Sequence, residues 1–198
     1  MSAKAAQKQR THTAILTSAD RLLRARGIAG ASVAEVMKGA GLTVGGFYAH
    51  FASKDRLIET TIRRTVATMR DRLFTRLEDK PPADRAEVAL KRYLSPAHRD
   101  NALDGCPLPA LIGEIATSEP AHAAVLGEEI EKSAARIEEH LAVSGTISRR
   151  HLALGMLALM YGGLGMARAL RGTSLSDEVL RACRAIGRVA IRHAQEPP

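Results

Sequence analysis

The chain has 198 residues, a length that suits one domain or two small ones and allows a buried hydrophobic core. Its 25% content of charged residues excludes a disordered chain, and its two cysteines exclude a framework of several disulfides or a four-thiolate zinc site. The net charge of +8 is concentrated in residues 1–56, which hold nine Lys/Arg and three Asp/Glu. This asymmetry favours a polyanion-binding segment, with a solvated charged surface as the alternative.

Helical patterns dominate the chain, and no segment alternates apolar and polar residues as a strand does, so we expect an all-α protein. Apolar spacing, glycines and prolines delimit the helices. The predicted helices cover residues 10–26, 32–38, 43–50, 53–79, 83–94, 107–117, 120–142, 148–171 and 175–194. The tails, residues 1–8 and 195–198, are predicted to be loose.

Hydroxyl side chains mark three of the helix starts. Ser32 is a natural N-cap, and Glu35 three residues later completes a capping box. Thr43 and Ser53 are predicted to cap the two helices that follow. These signals are local, so they fix where each short helix begins.

A helix over 32–38, a turn containing Gly39 and Gly41, and a short helix from residue 43 form a helix-turn-helix pattern. Glycine supplies such a turn without steric cost. Three of the six aromatic residues, Phe47, Tyr48 and Phe51, fall within five positions here. Large rings can close a small core, so residues 1–52 are predicted to be a compact unit of their own.

The sequence of residues 32–57, SVAEVMKGAGLTVGGFYAHFASKDRL, resembles the N-terminal DNA-binding signature of the TetR family of bacterial repressors. The resemblance covers about residues 10–60 and extends to the later helices only in their length and order. The matching positions are Ala19, Gly27, Ser32, Val33, Gly41, Leu42, Thr43, Gly45, Phe47, Tyr48, His50, Phe51, Ser53, Lys54, Asp55 and Leu57.

The resemblance implies a dimeric, all-helical repressor that binds a palindromic operator in double-stranded DNA and a small-molecule inducer. It implies a DNA-binding domain over 1–52, a connecting helix over 53–79 and a ligand-binding and dimerisation domain over 80–198. Ser32 and Thr43 would cap helices against phosphates, Tyr48, His50 and Lys54 would contact the DNA backbone, and Val44, Gly45 and Gly46 would face bases.

Residue chemistry independently supports some of these roles. Hydroxyl and N–H groups at helix N-termini bind anions. Lys54 lies in a first helical turn, where a cation is unfavourable for the helix dipole unless a phosphate joins it; a plain surface lysine is the alternative. The recognition segment 43–50 contains no Arg, Asn or Gln for bidentate base contacts, so DNA shape and phosphate geometry are expected to contribute to specificity.

The two C-terminal helices carry stripes that suit a four-helix bundle between two chains. In helix 148–171, one stripe is small and the other is bulky; helix 175–194 carries an apolar stripe. We expect a homodimer through both helices, with packing inside one chain as the alternative. The stripes are Gly155, Ala158, Gly162, Gly165, Ala169 and Gly172; Leu152, Met156, Leu159, Gly163, Met166 and Leu170; and Leu175, Val179, Ala182, Ile186 and Val189.

The uncharged run at residues 152–167 is shorter than a membrane span and contains four glycines. The first ten residues also lack the apolar region of a signal peptide. We therefore expect no membrane partner and a cytoplasmic protein.

Flexible and aromatic apolar residues in the C-terminal region suggest a ligand pocket, although ordinary core packing explains them too. Glu114, on the same helix as several of them, is expected to face solvent. The candidate lining residues are Met69, Phe74, Tyr93, Cys106, Leu108, Leu111, Ile112, Ile115, Val125 and Tyr161.

Cys106 precedes Pro107 at a helix start, where a thiolate is favoured, and its tract resembles one in TetR-type repressors that sense electrophiles or oxidants. A packed, unreactive thiol is the alternative, and the absence of Lys or Arg within five residues favours it. The seven histidines include no pair at helical metal spacing, so we expect no metal and no cofactor.

Three classes of function remain open on these patterns. A ligand-released repressor explains the basic segment and the pocket candidates. A helical enzyme lacks any visible nucleophile–base constellation, and a constitutive architectural DNA binder would have a solid C-terminal core.

Overall fold

A computed structural model describes residues 2–101, 104–142 and 147–195 of the chain. Every regular element within these ranges is helical, which confirms the predicted all-α class. The elements are α1 (Ala3–Arg26), α2 (Val33–Gly39), a 3₁₀ helix (Val44–Ala49), α3 (Lys54–Phe74), α4 (Pro82–Tyr93), α5 (Pro96–Asp100), α6 (Leu108–Ile115), α7 (Pro120–Glu138), α8 (Arg149–Ala169) and α9 (Ser174–Gln195).

Two of the three predicted N-caps are formed. Ser32 Oγ accepts the Glu35 backbone N–H at 3.2 Å and donates to the Glu35 carboxylate at 3.1 Å. Ser53 Oγ accepts the Arg56 N–H at 3.1 Å. Thr43 occupies its cap position without a side-chain cap hydrogen bond, so that prediction was wrong. The element is a 3₁₀ helix, whose first turn uses the Thr43 carbonyl to accept the Gly46 N–H instead.

The first helix begins earlier than the apolar pattern indicated. It starts at Ala3, with Ser2 as N-cap accepting the Ala5 N–H at 3.2 Å. The prediction of loose tails is therefore wrong for residues 2–8 and for Gln195, which ends α9; residues 1 and 196–198 lie outside the described part. The alanines of this segment have high helix propensity, which sustains the helix without a buried face.

The long helix α3 ends at Phe74 rather than near residue 79. Thr75 leaves the helical conformation with ψ of 126°, and Arg76 follows in a left-handed conformation with φ of 58°, which turns the chain. Arg92 donates to the carbonyls of Leu73 and Thr75 at 3.0 and 2.7 Å and so caps the helix end. Leu77, which continued the helical spacing in the sequence, reaches the core through this turn.

The pattern missed the five-residue helix α5, which is too short for a periodic signal. Ser95 caps it by accepting the His98 N–H at 3.1 Å, and Pro96 occupies its first turn. The helix predicted over 120–142 ends at Glu138.

The described residues form two hydrophobic clusters. The larger lies among α3 to α9 and also takes in the end of α1 and the segment after it. Helix α3 supplies both clusters, since Leu57 belongs to the smaller and Ile58 and Ile62 belong to the larger. The clusters support the predicted domain division, which stays a prediction. The smaller cluster comprises Ile15, Leu16, Ala19, Val36, Met37, Phe47, Phe51 and Leu57.

Helix α8 is the one helix in the described ranges that is long and apolar enough to cross a membrane by length and composition. Half of its most apolar window is buried inside the fold, where it packs against α7 and α9. A core helix of a soluble protein has these properties too.

Candidate nucleic-acid interface and ligand cavity

One side of the 3₁₀ helix Val44–Ala49 packs on the smaller hydrophobic cluster, and its other side is exposed to solvent. Phe47 is fully buried in the smaller cluster, and Gly41 makes the preceding turn at a φ of 72°. Val44 is 48% exposed and Tyr48 is 73% exposed, with the Tyr48 ring edge-on to Phe47 at 5.2 Å. The burial of Phe47 therefore fixes the segment while its predicted DNA-facing side chains point away from the core.

Gly45 and Gly46 are not required by the packing of the protein. A Cβ built on Gly45 would meet nothing within 4 Å, and one on Gly46 would meet only the tip of Met37 at 3.8 Å. Neither glycine has a positive φ. The absence of side chains here leaves the backbone open to close approach from outside.

The two other predicted backbone contacts flank this surface. Lys54 is half-buried in the first turn of α3, and His50 is half-buried at the end of the 3₁₀ helix. The Nδ1 atom of His50 is buried and has no hydrogen-bond partner in the described structure. A ligand or a small rearrangement could satisfy it.

Sequence reasoning missed His12 on α1. Its ring stacks on Phe51 at 4.6 Å and lies 6.0 Å from the ring of His50. Burial, followed by the positive charges of His50, Arg64 and Lys8, lowers the pKa of His12. No local motif marks this residue, because its contacts come from the packing of α1.

Ser32 is engaged inside the protein. Its hydroxyl donates to Glu35, which also accepts Arg26 Nη1 at 2.5 Å. The Ser32 hydrogen bond, and then the charge of Arg26, lower the pKa of Glu35. Any phosphate contact at this helix start must therefore use the backbone or displace the Glu35 interaction, whereas the exposed Thr43 makes no side-chain cap bond.

Helix α7 braces α3 through polar contacts. His122 Nε2 lies 3.5 Å from Asp55, the residue after Lys54. Farther along, Arg70 Nη1 donates to the buried Glu129 carboxylate at 3.1 Å. These pairs hold the start and the middle of α3 against the C-terminal helices.

A closed cavity lies where α3, α7 and α8 meet. Its free volume is about 20 Å³, room for one water molecule. Five predicted pocket residues line it: Met69, Phe74, Tyr93, Cys106 and Tyr161. The polar groups at its wall include Arg70 and Ser133, whose side chains lie 3.4 Å apart, and the buried Tyr93 hydroxyl, which has no hydrogen-bond partner in the described structure.

Four predicted lining residues, Leu108, Leu111, Ile115 and Val125, do not line this cavity. They are buried in the larger cluster away from it. Helical spacing identified them as core-facing but could not identify their neighbours.

A wider apolar groove adjoins the cavity. It has a volume of about 530 Å³ and is formed by α6, α7 and α8, including Ile112 and Gly162. Leu157 and Tyr161 belong to the walls of both the groove and the closed cavity. Movement of these two side chains would join the spaces.

Cys106 is 2% exposed, and burial raises the pKa of its thiol. Its backbone N–H donates to His98 Nε2 at 2.9 Å, and its carbonyl accepts Arg168 Nη1 at 2.7 Å. A buried, protonated thiol is unreactive, so the geometry favours the packing role over the sensor role. Cys183 is half-buried, and burial raises its pKa too.

Glu114 does not face solvent as expected. Its Oε2 accepts the backbone N–H groups of Ile28 at 2.8 Å and Ala29 at 3.1 Å. A Cβ on Gly27 would lie 1.7 Å from Glu114 Oε1, so the contact requires glycine there. Sequence reasoning could not find this link because Glu114 lies 86 residues from Ile28 and 85 residues from Ala29 in the chain. It joins α6 to the segment that follows α1.

The outer faces of α8 and α9 carry exposed apolar residues. Ile186 and Val189 on α9 are 64% and 65% exposed, and Met166 on α8 is more than half exposed. Most of the small stripe of α8 is exposed as well, whereas half of its bulky stripe is buried and only Met166 of that stripe is exposed. The small stripe thus leaves room for another helix at close range.

Within residues 2–101, 104–142 and 147–195, no group of three or more His, Cys, Asp or Glu side chains is placed to hold a metal ion.

Comparison with known proteins adds two findings. Residues 15–61 match the family model described as bacterial regulatory proteins, tetR family. Among curated proteins, none matches the chain.

Solved structures share the fold over nearly the whole chain. A protein from Rhodococcus sp. assigned to the TetR family of transcriptional regulators superposes with a TM-score of 0.78 at 18% identity, covering 92% of this chain and 99% of its own. The reduced form of Escherichia coli NemR gives 0.77 at 22% identity, covering 91% and 97%. A TetR transcriptional regulator from Chloroflexus aurantiacus gives 0.72 at 22%, covering 90% and 94%.

The matched residues 15–61 fall on α1, α2, the 3₁₀ helix and the start of α3, the elements that form the helix-turn-helix and its support. The N-terminal segment thus matches a model of the tetR family, and the described chain shares its fold with solved structures assigned to that family.

Proposed function

We propose that the protein is a cytoplasmic, homodimeric repressor that binds a palindromic operator and leaves it when a small hydrophobic inducer enters the C-terminal domain. The open backbone of Gly45 and Gly46 on an exposed 3₁₀ helix carries the DNA-binding half of this proposal. These glycines serve no packing need, so an external surface that approaches closely explains them.

The proposed DNA contacts divide into two groups. Tyr48, His50 and Lys54 contact phosphates, together with the helix starts at Ser32 and Thr43. Val44, Gly45 and Gly46 face base edges, where a methyl group or a bare backbone reads shape more than hydrogen-bond pattern.

The exposed apolar residues of α8 and α9 support the dimer. An apolar surface of this kind is normally covered in a stable protein. Two such helices from each chain form a four-helix bundle with the small stripe of α8 at close range. The two recognition segments would then meet half-sites whose centres are about 34–36 Å apart or a multiple of that distance.

The inducer must open the closed cavity, because about 20 Å³ holds only one water molecule. The adjoining groove is large enough for a small apolar molecule, and Leu157 and Tyr161 separate the two spaces. A ligand that enters past them would press on Met69 and Phe74 of α3.

A displacement of Met69 by the inducer would be transmitted along the rigid helix α3. Lys54 lies 15 residues earlier on α3, about 22 Å along its axis. The Glu114 contact links α6, which forms part of the groove, to the segment after α1. Both paths would change the spacing of the two recognition segments in a dimer.

A constitutive DNA binder without an inducer is the second candidate, and the small volume of the closed cavity favours it. Screening hydrophobic small molecules for thermal stabilisation separates the two. A repressor of the proposed kind has a ligand that both stabilises the protein and weakens operator binding. Ligands that bind without changing operator affinity would support the second candidate.

The DNA-binding half is tested by selecting bound fragments from genomic DNA and measuring affinity for the recovered site. Lys54→Gln should weaken binding to all sequences alike and reduce the salt slope by about one. Lys80→Gln, an exposed lysine beyond α3, is the matched control and should leave the slope unchanged. Light scattering should give a dimer. An unchanged slope for Lys54→Gln would remove this residue from the interface, and full-affinity binding by a monomer would remove the dimer.

A further inference from the structure

Helices α1 and α3 line a second cavity, of about 140 Å³, whose walls are mostly polar and charged, unlike those of the apolar closed cavity. Three arginines line it, Arg24 from α1 and Arg64 and Arg72 from α3, together with three threonine side chains. Two carboxylates, Asp20 and Asp104, share the wall. The charged groups of the lining thus carry an excess of positive charge.

Arg24 is the unusual member of this lining. Its side chain is only 6% exposed. Its Nε donates to Asp20 Oδ1 at 2.9 Å, but its Nη1 atom is buried and has no hydrogen-bond partner among the described residues. Arginine keeps its charge in a protein, so this guanidinium cannot compensate for the missing hydrogen-bond partner by losing a proton.

The Asp20 carboxylate does not satisfy all the hydrogen-bond donors of the Arg24 guanidinium. The same Oδ1 atom also accepts the Thr65 hydroxyl at 2.9 Å, so the carboxylate is shared. Arg168, whose own Nε is buried without a partner in the described structure, adds a further positive charge to the surroundings of Arg24. The positive charges of Arg168 and Arg24 add to the burial that lowers the pKa of His98 to about 4.

The rim arginine Arg64 is free to turn towards a ligand. Its contacts to the Thr13 carbonyl and the Thr17 hydroxyl are long, at 3.4 and 3.5 Å. Arg72 is exposed at the other side of the cavity. Together with Arg24, these side chains can surround a compact group with guanidinium donors.

The cavity is not placed to bind operator phosphates. Arg64 and Arg72 follow Lys54 by 10 and 18 residues on α3, which is about 15 and 27 Å along the helix axis from its DNA-proximal start. The charge therefore serves something other than the proposed DNA contacts.

We propose that this cavity binds a compact oxyanion, the phosphate group of a small metabolite or free inorganic phosphate, with the guanidinium groups of Arg24, Arg64 and Arg72 as its charged donors. Threonine hydroxyls complete the set of donors, and the bound anion links α1 of the DNA-binding part to α3. The proposal concerns the free protein and does not depend on DNA binding.

Titration of inorganic phosphate into the DNA-free protein, followed by calorimetry and by thermal unfolding, tests the site. Sodium chloride keeps the ionic strength constant. Phosphate should bind with measurable heat and raise Tm beyond the chloride control. Glycerol phosphate in a parallel titration distinguishes the source: tighter binding of the ester indicates a metabolite, and equal or weaker binding indicates free phosphate.

Arg24→Gln and Arg72→Gln should each weaken the phosphate Kd at least tenfold. Arg72 is exposed, so its variant tests the site even if Arg24→Gln fails to fold. Arg21→Gln, an exposed arginine one turn before Arg24 that does not line the cavity, is the matched control. The absence of phosphate-specific binding, or an equal loss in Arg21→Gln, overturns the proposal.

Discussion

Replacing Gly27 with alanine tests the link between α6 and the segment after α1. Gly27 has φ of 71° and ψ of −171°, a conformation that other residues rarely adopt. The new Cβ would also lie 1.7 Å from Glu114 Oε1. The substitution must therefore strain the backbone and expel the carboxylate that accepts the Ile28 and Ala29 N–H groups.

The two costs can be estimated separately. The backbone conformation costs about 1–3 kcal/mol for a residue with a Cβ. The half-buried hydrogen bonds to the charged Glu114 contribute about 2 kcal/mol. Gly27→Ala should thus lower the free energy of unfolding by about 3–5 kcal/mol, which for a chain of this length corresponds to a Tm lower by about 10 °C.

A double-mutant cycle isolates the second cost. Glu114→Ala alone should lower the free energy of unfolding by about 2 kcal/mol. In that background Gly27→Ala no longer displaces a carboxylate, so the pair should show a coupling of about 2 kcal/mol. Gly41→Ala is the control for backbone strain, because its φ is 72° and its Cβ would meet nothing within 4 Å.

Denaturant unfolding followed by circular dichroism, at one protein concentration, measures the four proteins of the cycle and the Gly41→Ala control. Fixed concentration matters because a dimer unfolds at a concentration-dependent midpoint. If the Gly27 and Glu114 effects add within about 0.5 kcal/mol, the two residues are not coupled and the link between α6 and α1 is refuted.

Two further predictions concern the interface and pH. Gly45→Ala should leave Tm unchanged, because the new Cβ meets no protein atom, yet it should weaken operator binding at least tenfold. Gly127→Ala on α7, whose Cβ is equally free of neighbours, should leave operator binding unchanged. Equal effects of the two substitutions on operator binding would refute the role of Gly45. His98 is held neutral, with Nδ1 donating to the Tyr93 carbonyl and Nε2 accepting the Cys106 N–H, and burial, assisted by Arg168 and Arg24, lowers its pKa to about 4. Since the unfolded chain takes up this proton near pH 6.5, stability should fall by about 3 kcal/mol as the pH drops from 6.5 to 4. His98→Gln should reduce that loss in denaturant unfolding, whereas the exposed His151→Gln should not; the same loss in both variants would refute the assignment.

Local signals in the sequence predicted the fold well. Ser32 and Ser53 cap helices as expected, because capping depends on neighbours within one turn. The end of α3 was misplaced because Leu77 keeps helical spacing, whereas the left-handed Arg76 carries it to the core through a turn. That turn is supported by Arg92, a contact between separate helices that no local pattern shows.

The candidate site was predictable only in part. The exposure of Val44 and Tyr48 and the burial of Phe47 follow from one short motif. The partners of Glu114 and the unpaired Nη1 of Arg24 depend on how distant helices pack. Helical spacing shows that a side chain faces inward, but it does not show which cavity that side chain lines.

Helix α3 joins three regions of the protein, with Lys54 at its start, Arg64 and Arg72 beside the proposed oxyanion site, and Met69 beside the closed cavity. If α3 moves as a rigid unit over this length, the proposed inducer changes the energy of operator binding when it expands the closed cavity. The expected coupling free energy between inducer binding and operator binding is about 1–3 kcal/mol, a 5- to 150-fold change in affinity. Thermodynamic linkage then requires operator DNA to weaken inducer binding by the same factor. Measuring the inducer Kd with and without operator, and the operator Kd with and without inducer, gives two independent values of that factor. Agreement between them supports one shared conformational equilibrium, whereas an inducer whose Kd ignores the operator acts without moving α3.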